Sequence, residues 1–153
     1  MRPRRPLLVA ALLAAAVAPA CGPKGDPVRA TLDGIARAVE KTDAEEAASH
    51  LAAGFRDAQG GDRNEALLTL RRYLAAYESL SVSLADVEVT RSADLARATF
   101  RADVSGTPRK LGGLDGWLPR SVKLRFELTL VPEGKEWKVS WASWHQEGGD
   151  PGP

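Results

Sequence analysis

The sequence is poor in the residues that form disulfides and metal centres. It has one cysteine, Cys21, and two histidines, His50 and His145. A single cysteine cannot form a disulfide within the chain, and two histidines far apart in sequence do not supply the ligand cluster that zinc requires. Gly112, Gly113 and Gly116 are not followed by a helix that could present its N-terminus to a phosphate. We therefore expect no metal and no cofactor.

The sequence also lacks a strong charge of one sign. It has 21 basic and 20 acidic residues, and three of the basic ones, Arg2, Arg4 and Arg5, precede an apolar run at the N-terminus. If that segment is removed, 18 basic residues (21 minus 3) face 20 acidic ones, a net charge of −2. No basic patch with interleaved aromatic residues stands out, so we do not expect nucleic-acid binding.

Only one long apolar run is present, from Leu7 to Val17. It is too short for a transmembrane helix, which needs roughly 20 apolar residues, but it has the length of a signal-peptide core. The run is followed by Ala18, Pro19, Ala20 and Cys21, and small residues of this kind are typical of a signal-peptidase site. The pattern predicts a cleavable signal segment over residues 1–20.

The Ala20-Cys21 pair resembles the lipobox of bacterial lipoproteins, in which the cysteine is acylated and becomes the new N-terminus. Ala18 and Pro19 depart from the commonest lipobox residues, and the same bond is also a site for ordinary secretion. A lone free thiol in an oxidising compartment favours the lipoprotein interpretation. The resemblance implies a lipid at Cys21 and a protein held in the bacterial cell envelope or periplasm, at the outer membrane rather than the inner.

The composition around the central region indicates one domain with short flexible ends. Residues 21–27 and 146–153 are rich in glycine, proline and polar residues, which is typical of a tether and a disordered tail. The hydrophobic fraction of 44% is close to that of globular proteins. We expect a folded domain over residues 28–145.

Three helices are predicted in the first half of this domain. Asp26-Pro27 can begin the first helix, whose apolar positions are Val28, Leu32, Ile35 and Val39. A second helix is expected from Thr42-Asp43 through Leu51 to about Gly54, with Phe55 in the loop after it. Asp62 and Glu65 form a capping box for the third, whose inward positions are Ala66, Leu67, Leu70, Tyr73, Leu74 and Tyr77.

Alternating apolar residues then predict four strands. Val82 and Leu84 differ in parity from Val87 and Val89, which indicates a β-bulge at Ala85-Asp86. The later strands cover residues 96–104 and 122–130, and the last strand has Trp137, Val139 and Trp141 as its inward positions. Residues 133–135 form a hairpin turn between the last two strands, and a longer loop over residues 106–120 carries Trp117.

The order of three helices and four antiparallel strands, closing on Trp137 to Trp144, resembles the nuclear transport factor 2-like (NTF2-like) superfamily, which includes the SnoaL-like and ketosteroid isomerase-like proteins. The resemblance covers Val28 to Trp144 and is most specific in the final hairpin. It implies an α+β fold in which three N-terminal helices pack in the concave face of a curved four-stranded antiparallel sheet. A conical pocket between the helices and the sheet is implied as well, although aromatic residues could fill it instead.

The resemblance also implies where functional residues would lie. Enzymes of the superfamily place an Asp, His or Tyr in the pocket, and the matching candidates here are His50 with Tyr73 or Tyr77. No inward-facing carboxylate of a strand accompanies them, so we identify no catalytic set. The expected ligand-contacting or partner-contacting residues are Phe100, Trp117, Phe126, Trp137 and Trp141.

These observations leave three interpretations. The first is a non-catalytic, envelope-anchored lipoprotein whose domain binds a small apolar ligand or an envelope protein. The second is a SnoaL-like or ketosteroid isomerase-like enzyme, an isomerase, dehydratase or hydrolase. The third is a structural homodimer that pairs through the outer sheet face, although the basic residues predicted there favour a wet interface or a monomer, namely Arg97, Arg101, Lys123, Arg125 and Lys138.

The lipoprotein interpretation predicts the chemistry of the mature N-terminus. When the full-length gene is expressed in a bacterium with a lipoprotein pathway, the mature chain should begin at Cys21 and carry acyl groups, because the cysteine is then the modified residue. Mass spectrometry of the N-terminal peptide measures this directly. An unmodified Cys21 at the start of the mature chain would indicate ordinary secretion instead.

Overall fold

The computed structural model describes residues 25–110 and 112–148, and its regular elements run from Pro27 to Gln146. The expected signal segment, Cys21 and the last residues of the tail lie outside the described residues. The α-helices are α1 (Pro27–Glu40), α2 (Ala44–Ser49) and α3 (Arg63–Ala75), and the strands are β1 (Leu51–Asp57), β2 (Tyr77–Arg91), β3 (Ala96–Pro108), β4 (Ser121–Glu133) and β5 (Glu136–Gln146). No helix within these residues is long and apolar enough to cross a membrane.

The predicted helix starts are confirmed by side-chain caps. The Asp26 carboxylate accepts hydrogen bonds from the backbone amides of Val28 at 2.9 Å and Arg29 at 3.4 Å. Asp62 and Glu65 form the reciprocal capping box, with distances of 3.0 Å and 2.9 Å. These bonds satisfy amides that the helix itself leaves without acceptors, and they set where α1 and α3 begin.

The sheet has five strands rather than the four that the sequence predicts, and it is mixed rather than antiparallel. Its order is β1-β5-β4-β3-β2, with β1 parallel to β5 and the other neighbours antiparallel. The expectation of a long second helix was therefore wrong, because α2 ends at Ser49 and Leu51–Asp57 forms an edge strand. The residues of β1 show no clear alternation, and their pairing with β5 determines their conformation.

The end of the third helix also differs from the prediction. Helix α3 ends at Ala75, and Tyr77 opens β2, where it pairs with Pro108. Tyr73 was expected to face inward, but it is 64% exposed, and Leu74 is the one fully buried residue of α3. The helix thus lies with one narrow side against the sheet, and the inward run of side chains continues in the strand.

Three bulges bend the antiparallel part of the sheet. The predicted bulge in β2 is confirmed by a register shift between Ala85 and Glu88, and Asp86 has a positive φ of 53°. The sequence analysis missed the other two. At the start of β2, Tyr77 pairs with Pro108 and Ser79 with Thr107, so Glu78 is an extra residue. In β5, Thr129 pairs with Trp141 and Leu130 with Val139, so Ser140 is the extra residue. Because an extra residue reverses the facing of later side chains, Trp141 lies on the outer face and not inward as expected.

The core occupies the end of the sheet that is near the β2–β3 turn. Val28 and Leu32 of α1 pack with Ala98 of β3 and with Leu130 and Val139 of the final hairpin, and all five are almost completely buried. The Thr31 hydroxyl donates a 2.6 Å hydrogen bond to the carbonyl of Trp137, which fixes α1 over β5. The helices therefore cover one half of the inner sheet face tightly.

His50 lies outside this core, against α1. Its side chain is 17% exposed, and a Cβ atom on Gly34 would lie only 2.6 Å from its Cε1, so glycine is required for this close contact. The Nε2 atom is buried without a hydrogen-bond partner, with the Glu46 carboxylate 3.6 Å away. Burial lowers the pKa of His50 below its ordinary value, and Glu46 offsets only part of that shift.

Two leucines provide a matched test of the core. Replacing Leu130 with Ala should lower the free energy of unfolding by about 2–5 kcal/mol, because the fully buried side chain leaves a cavity. Leu95, in the β2–β3 turn, is 40% exposed, and Leu95→Ala should change the free energy by no more than about 0.5 kcal/mol. Urea denaturation measures both values, and similar losses in the two variants would contradict the described core.

The buried histidine predicts sensitivity to acid. Between the lowered pKa of folded His50 and the ordinary value of 6.5, the unfolded chain binds more protons, so the free energy of unfolding falls as the pH drops below 6.5. His50→Gln removes this contribution. Urea denaturation at about pH 7.5 and about pH 5 should show a smaller loss in the variant than in the wild type. Equal losses in both proteins would contradict the prediction.

Candidate ligand-binding cavity

A cavity of about 800 Å³ lies between the helices and the inner sheet face, and Leu32, Ile35 and Val39 of α1 form part of its wall. This volume is within the range of roughly 300–1,000 Å³ that is usual for small-molecule sites. Small side chains on the sheet leave the space open, since Ala102 and Ala142 lie beside the bulky Phe100 and Phe126. The buried wall is apolar and includes Leu32, Ala47, Phe55, Leu74, Tyr77, Phe100, Ala102, Leu128, Val139 and Ala142.

The cavity opens at the end of the sheet opposite the β2–β3 turn. The exposed residues among those that line it are Thr69 and Tyr73 of α3, Ser105 of β3, Pro119 and Arg120 just before β4, and Trp144, His145 and Gln146 at the end of β5. We call this opening the mouth. It is bordered by four separate segments of the chain, so its shape depends on how α3 and these strand ends pack together.

Two polar side chains of the wall, Tyr77 and Asp57, have backbone partners. The Tyr77 hydroxyl donates a 2.8 Å hydrogen bond to the carbonyl of Pro119, and burial raises the pKa of Tyr77, with a smaller contribution from Tyr73. The Asp57 carboxylate accepts hydrogen bonds from the amides of Gln59 at 2.9 Å and Gly61 at 2.8 Å. These bonds hold the mouth and the turn after β1, and they leave the cavity with an apolar character.

Two of the predicted ligand-contacting residues line the cavity and three do not. Phe100 and Phe126 stack across β3 and β4 with ring centroids 5.2 Å apart. Trp137 is buried in the core, Trp141 is on the outer sheet face, and Trp117 is 87% exposed on a short 3-10 turn, Leu114–Trp117.

Sequence analysis missed Trp144 as a lining residue. Its ring lies 6.2 Å from that of Phe126, at the mouth. Trp141 and Trp144 have opposite parity in the strand, so only one of them can face the cavity. The bulge at Ser140 decides which one, and the sequence carries no clear signal for that bulge.

The structure does not bring the three candidate acid–base residues together. Tyr77 lies in the cavity wall and Tyr73 at the mouth, whereas His50 lines a separate polar depression with Gly34, Arg37, Glu46 and Glu136. The pairing of His50 with either tyrosine, on which the enzyme interpretation depended, is therefore not formed. In the part of the chain that the structure describes, no group of three or more His, Cys, Asp or Glu residues could hold a metal ion.

Comparison with known proteins identifies the fold. No family model matches the sequence, and no curated protein matches it. A provisionally assigned scytalone dehydratase of Novosphingobium aromaticivorans DSM 12444 superposes with a TM-score of 0.68 at 12% identity, over 78% of this chain and 81% of that one.

Two further solved structures have similar scores. An NTF2-like family protein of Streptomyces avermitilis, provisionally named a dehydratase, has a TM-score of 0.64 at 18% identity, over 77% of this chain and 92% of that one. A protein of unknown function with a cystatin-like fold from Nostoc punctiforme PCC 73102 has a TM-score of 0.63 at 11% identity, over 82% of this chain and 92% of that one. This chain therefore has the NTF2-like, or cystatin-like, α+β fold, with a mixed five-stranded sheet and three helices.

Proposed function

We propose that this protein is an envelope-anchored lipoprotein whose NTF2-like domain binds a small apolar ligand in its cavity and does not transform it. The observation that carries the proposal is the apolar cavity of about 800 Å³. Its main polar wall groups, Tyr77 and Asp57, are occupied by bonds to the backbone. An apolar guest would leave no buried polar group without a partner.

The driving force for such binding is the burial of apolar surface. Each 100 Å² of apolar ligand surface removed from water contributes roughly 2.5 kcal/mol, before the cost of association is subtracted. Phe100, Phe126 and Trp144 provide flat aromatic surfaces at increasing distance from the core, so a rigid or elongated apolar molecule would contact all three. The ligand would enter past Trp144, because this side chain is 41% exposed at the mouth.

The placement of the N-terminal segment is compatible with a tether. Helix α1 runs antiparallel to β2: Asp26 pairs with Arg91 at 3.5 Å, and the Glu40 carboxylate accepts a 3.0 Å hydrogen bond from the Val82 amide. The chain therefore enters the domain at the β2–β3 turn, opposite the mouth. A lipid at Cys21 would hold the domain by its closed end and leave the mouth accessible.

A dehydratase-type enzyme is the alternative, and the names of two structural neighbours favour it. Such an enzyme needs a proton acceptor and a proton donor that both reach the bound molecule. His50 does not line the cavity, and the lining groups that would have to replace it are Tyr77 and Asp57 in the wall and Tyr73 and His145 at the mouth. Tyr77 and Asp57 are held by backbone partners, and Tyr73 and His145 are exposed to water at the rim. For this reason we favour binding without chemistry.

A fluorescent apolar probe tests the cavity. N-phenyl-1-naphthylamine should bind the wild-type protein, and Ala102→Trp should weaken binding at least about tenfold, because the indole fills space that the guest would occupy. Thr99→Trp is the matched control on the outer face of the same strand and should leave the affinity unchanged. Thermal denaturation verifies that both variants are folded. Equal affinity in the two folded variants would show that the probe binds elsewhere.

A further inference from the structure

The end of the molecule that carries the mouth has two exposed aromatic side chains. Trp117 is 87% exposed and Tyr73 is 64% exposed. Trp117 does not line the cavity, and its ring adds nothing to the core. An indole left almost completely in water contributes no packing within the domain, and this indicates a contact with something outside the domain.

The loop that carries Trp117 is attached to the mouth at both ends. The amide of Arg109 donates a 2.8 Å hydrogen bond to the carbonyl of Ala76, directly after α3. At the other end, the amide of Gly106 donates a 2.9 Å bond to the carbonyl of Arg120, and the Tyr77 hydroxyl binds Pro119. These bonds keep Trp117 beside the opening of the cavity.

The same surface carries an excess of positive charge. Residues 72–78 and 109–120 contain four basic residues, Arg72, Arg109, Lys110 and Arg120, against two acidic ones, Glu78 and Asp115. All four basic residues are exposed, and none of them makes a salt bridge with another described residue. We define the mouth face by six exposed side chains, namely Arg72, Tyr73, Arg109, Lys110, Trp117 and Arg120.

We propose that the mouth face binds an anionic lipid surface. Tryptophan and tyrosine are the residues that favour the headgroup level of a bilayer, because their rings are apolar and carry a polar atom. Exposed lysine and arginine side chains beside them are attracted to anionic headgroups. The mouth face combines both features. On the outer face of the sheet, by contrast, two of the arginines pair with carboxylates, Arg101 with Asp86 at 3.0 Å and Arg125 with Glu147 at 2.9 Å.

A bilayer bound to the mouth face would lie against the opening of the cavity. If the cavity binds an apolar ligand, a bilayer against the mouth face would let the ligand pass between lipid and cavity without crossing water. This consequence rests on the proposed function, but the lipid contact itself does not. The N-terminal segment enters at the opposite end of β3, roughly 40 Å away along the strand, so an anchor there would not by itself bring Trp117 to a bilayer.

Tryptophan fluorescence of the full chain tests the contact. Sedimentation of vesicles is not informative, because the apolar segment Leu7–Val17 or a lipid at Cys21 would retain every variant. We therefore measure the emission of Trp117 itself, as the difference between the spectra of the wild type and of the Trp117→Phe variant. With vesicles that contain phosphatidylglycerol and brominated phosphatidylcholine, this emission should shift to shorter wavelength and be quenched. The brominated lipid is placed either in the vesicles that hold the chain or in vesicles added afterwards, which shows which bilayer is contacted.

Two controls make the result specific. The emission of Trp141, obtained in the same way from the Trp141→Phe variant, should not be quenched, because Trp141 lies on the outer sheet face. Replacing Arg109 and Lys110 with Gln should reduce the ratio of docked to undocked Trp117 by about fivefold for each charge, and vesicles without phosphatidylglycerol should have a similar effect.

The proposal is overturned if Trp117 emission is unchanged by anionic vesicles in both arms, or if Trp141 is quenched equally. It is also overturned if the Trp117 emission shifts to shorter wavelength only when an envelope protein extract is added, because this would indicate a protein partner. Binding of N-phenyl-1-naphthylamine without vesicles is measured on the same variants. Normal probe binding with no quenching rejects the lipid contact alone, and quenching with no probe binding rejects the cavity ligand alone.

Discussion

The bend of the sheet is the constraint on which the cavity depends. Strand β2 contains extra residues at Glu78 and Asp86, and strand β5 contains one at Ser140. A bulge bends its strand and increases the local twist. A flat sheet of this composition would let the helices cover the inner face along its whole length. In the bent sheet, the N-terminal half of α1 packs near the β2–β3 turn, where Val28 and Leu32 meet Leu130 and Val139, and its C-terminal half borders the cavity. The rest of the inner sheet face remains open and ends at the mouth.

The cavity also depends on the size of the side chains that line it. Alanines at positions 102 and 142 leave room beside Phe100 and Phe126, and interiors normally do not tolerate voids of this size unless they serve a purpose. The polar groups of the wall hold the structure rather than the guest. Tyr77 ties the loop before β4 to the wall through Pro119, and Asp57 closes the turn before α3. The cavity, its mouth and the loop with Trp117 are thus parts of one bonded unit.

The sequence analysis succeeded where a local pattern was strong enough to determine structure. Asp26, Asp62 and Glu65 predicted two helix starts, because capping bonds form between residues close in sequence. Strict alternation predicted β3 and β4, and the slip in parity at Asp86 predicted the bulge there. It failed where the conformation of a segment depends on pairing with residues that are distant in sequence. Strand β1 forms because its residues pair with β5, and Tyr77 belongs to β2 because it pairs with Pro108. The bulge at Ser140 turns Trp144 toward the cavity and Trp141 away from it.

The sequence by itself determined the α+β class, the positions of the caps and of the central strands, and the NTF2-like resemblance. These follow from hydrogen bonds and side-chain periodicity within about ten residues of each other. Only the tertiary structure decided the fifth strand, the side chains that face the cavity, and the separation of His50 from Tyr73 and Tyr77. The physical reason is that a single extra residue in a strand reverses every side chain after it, and its position is set by the register of the neighbouring strand.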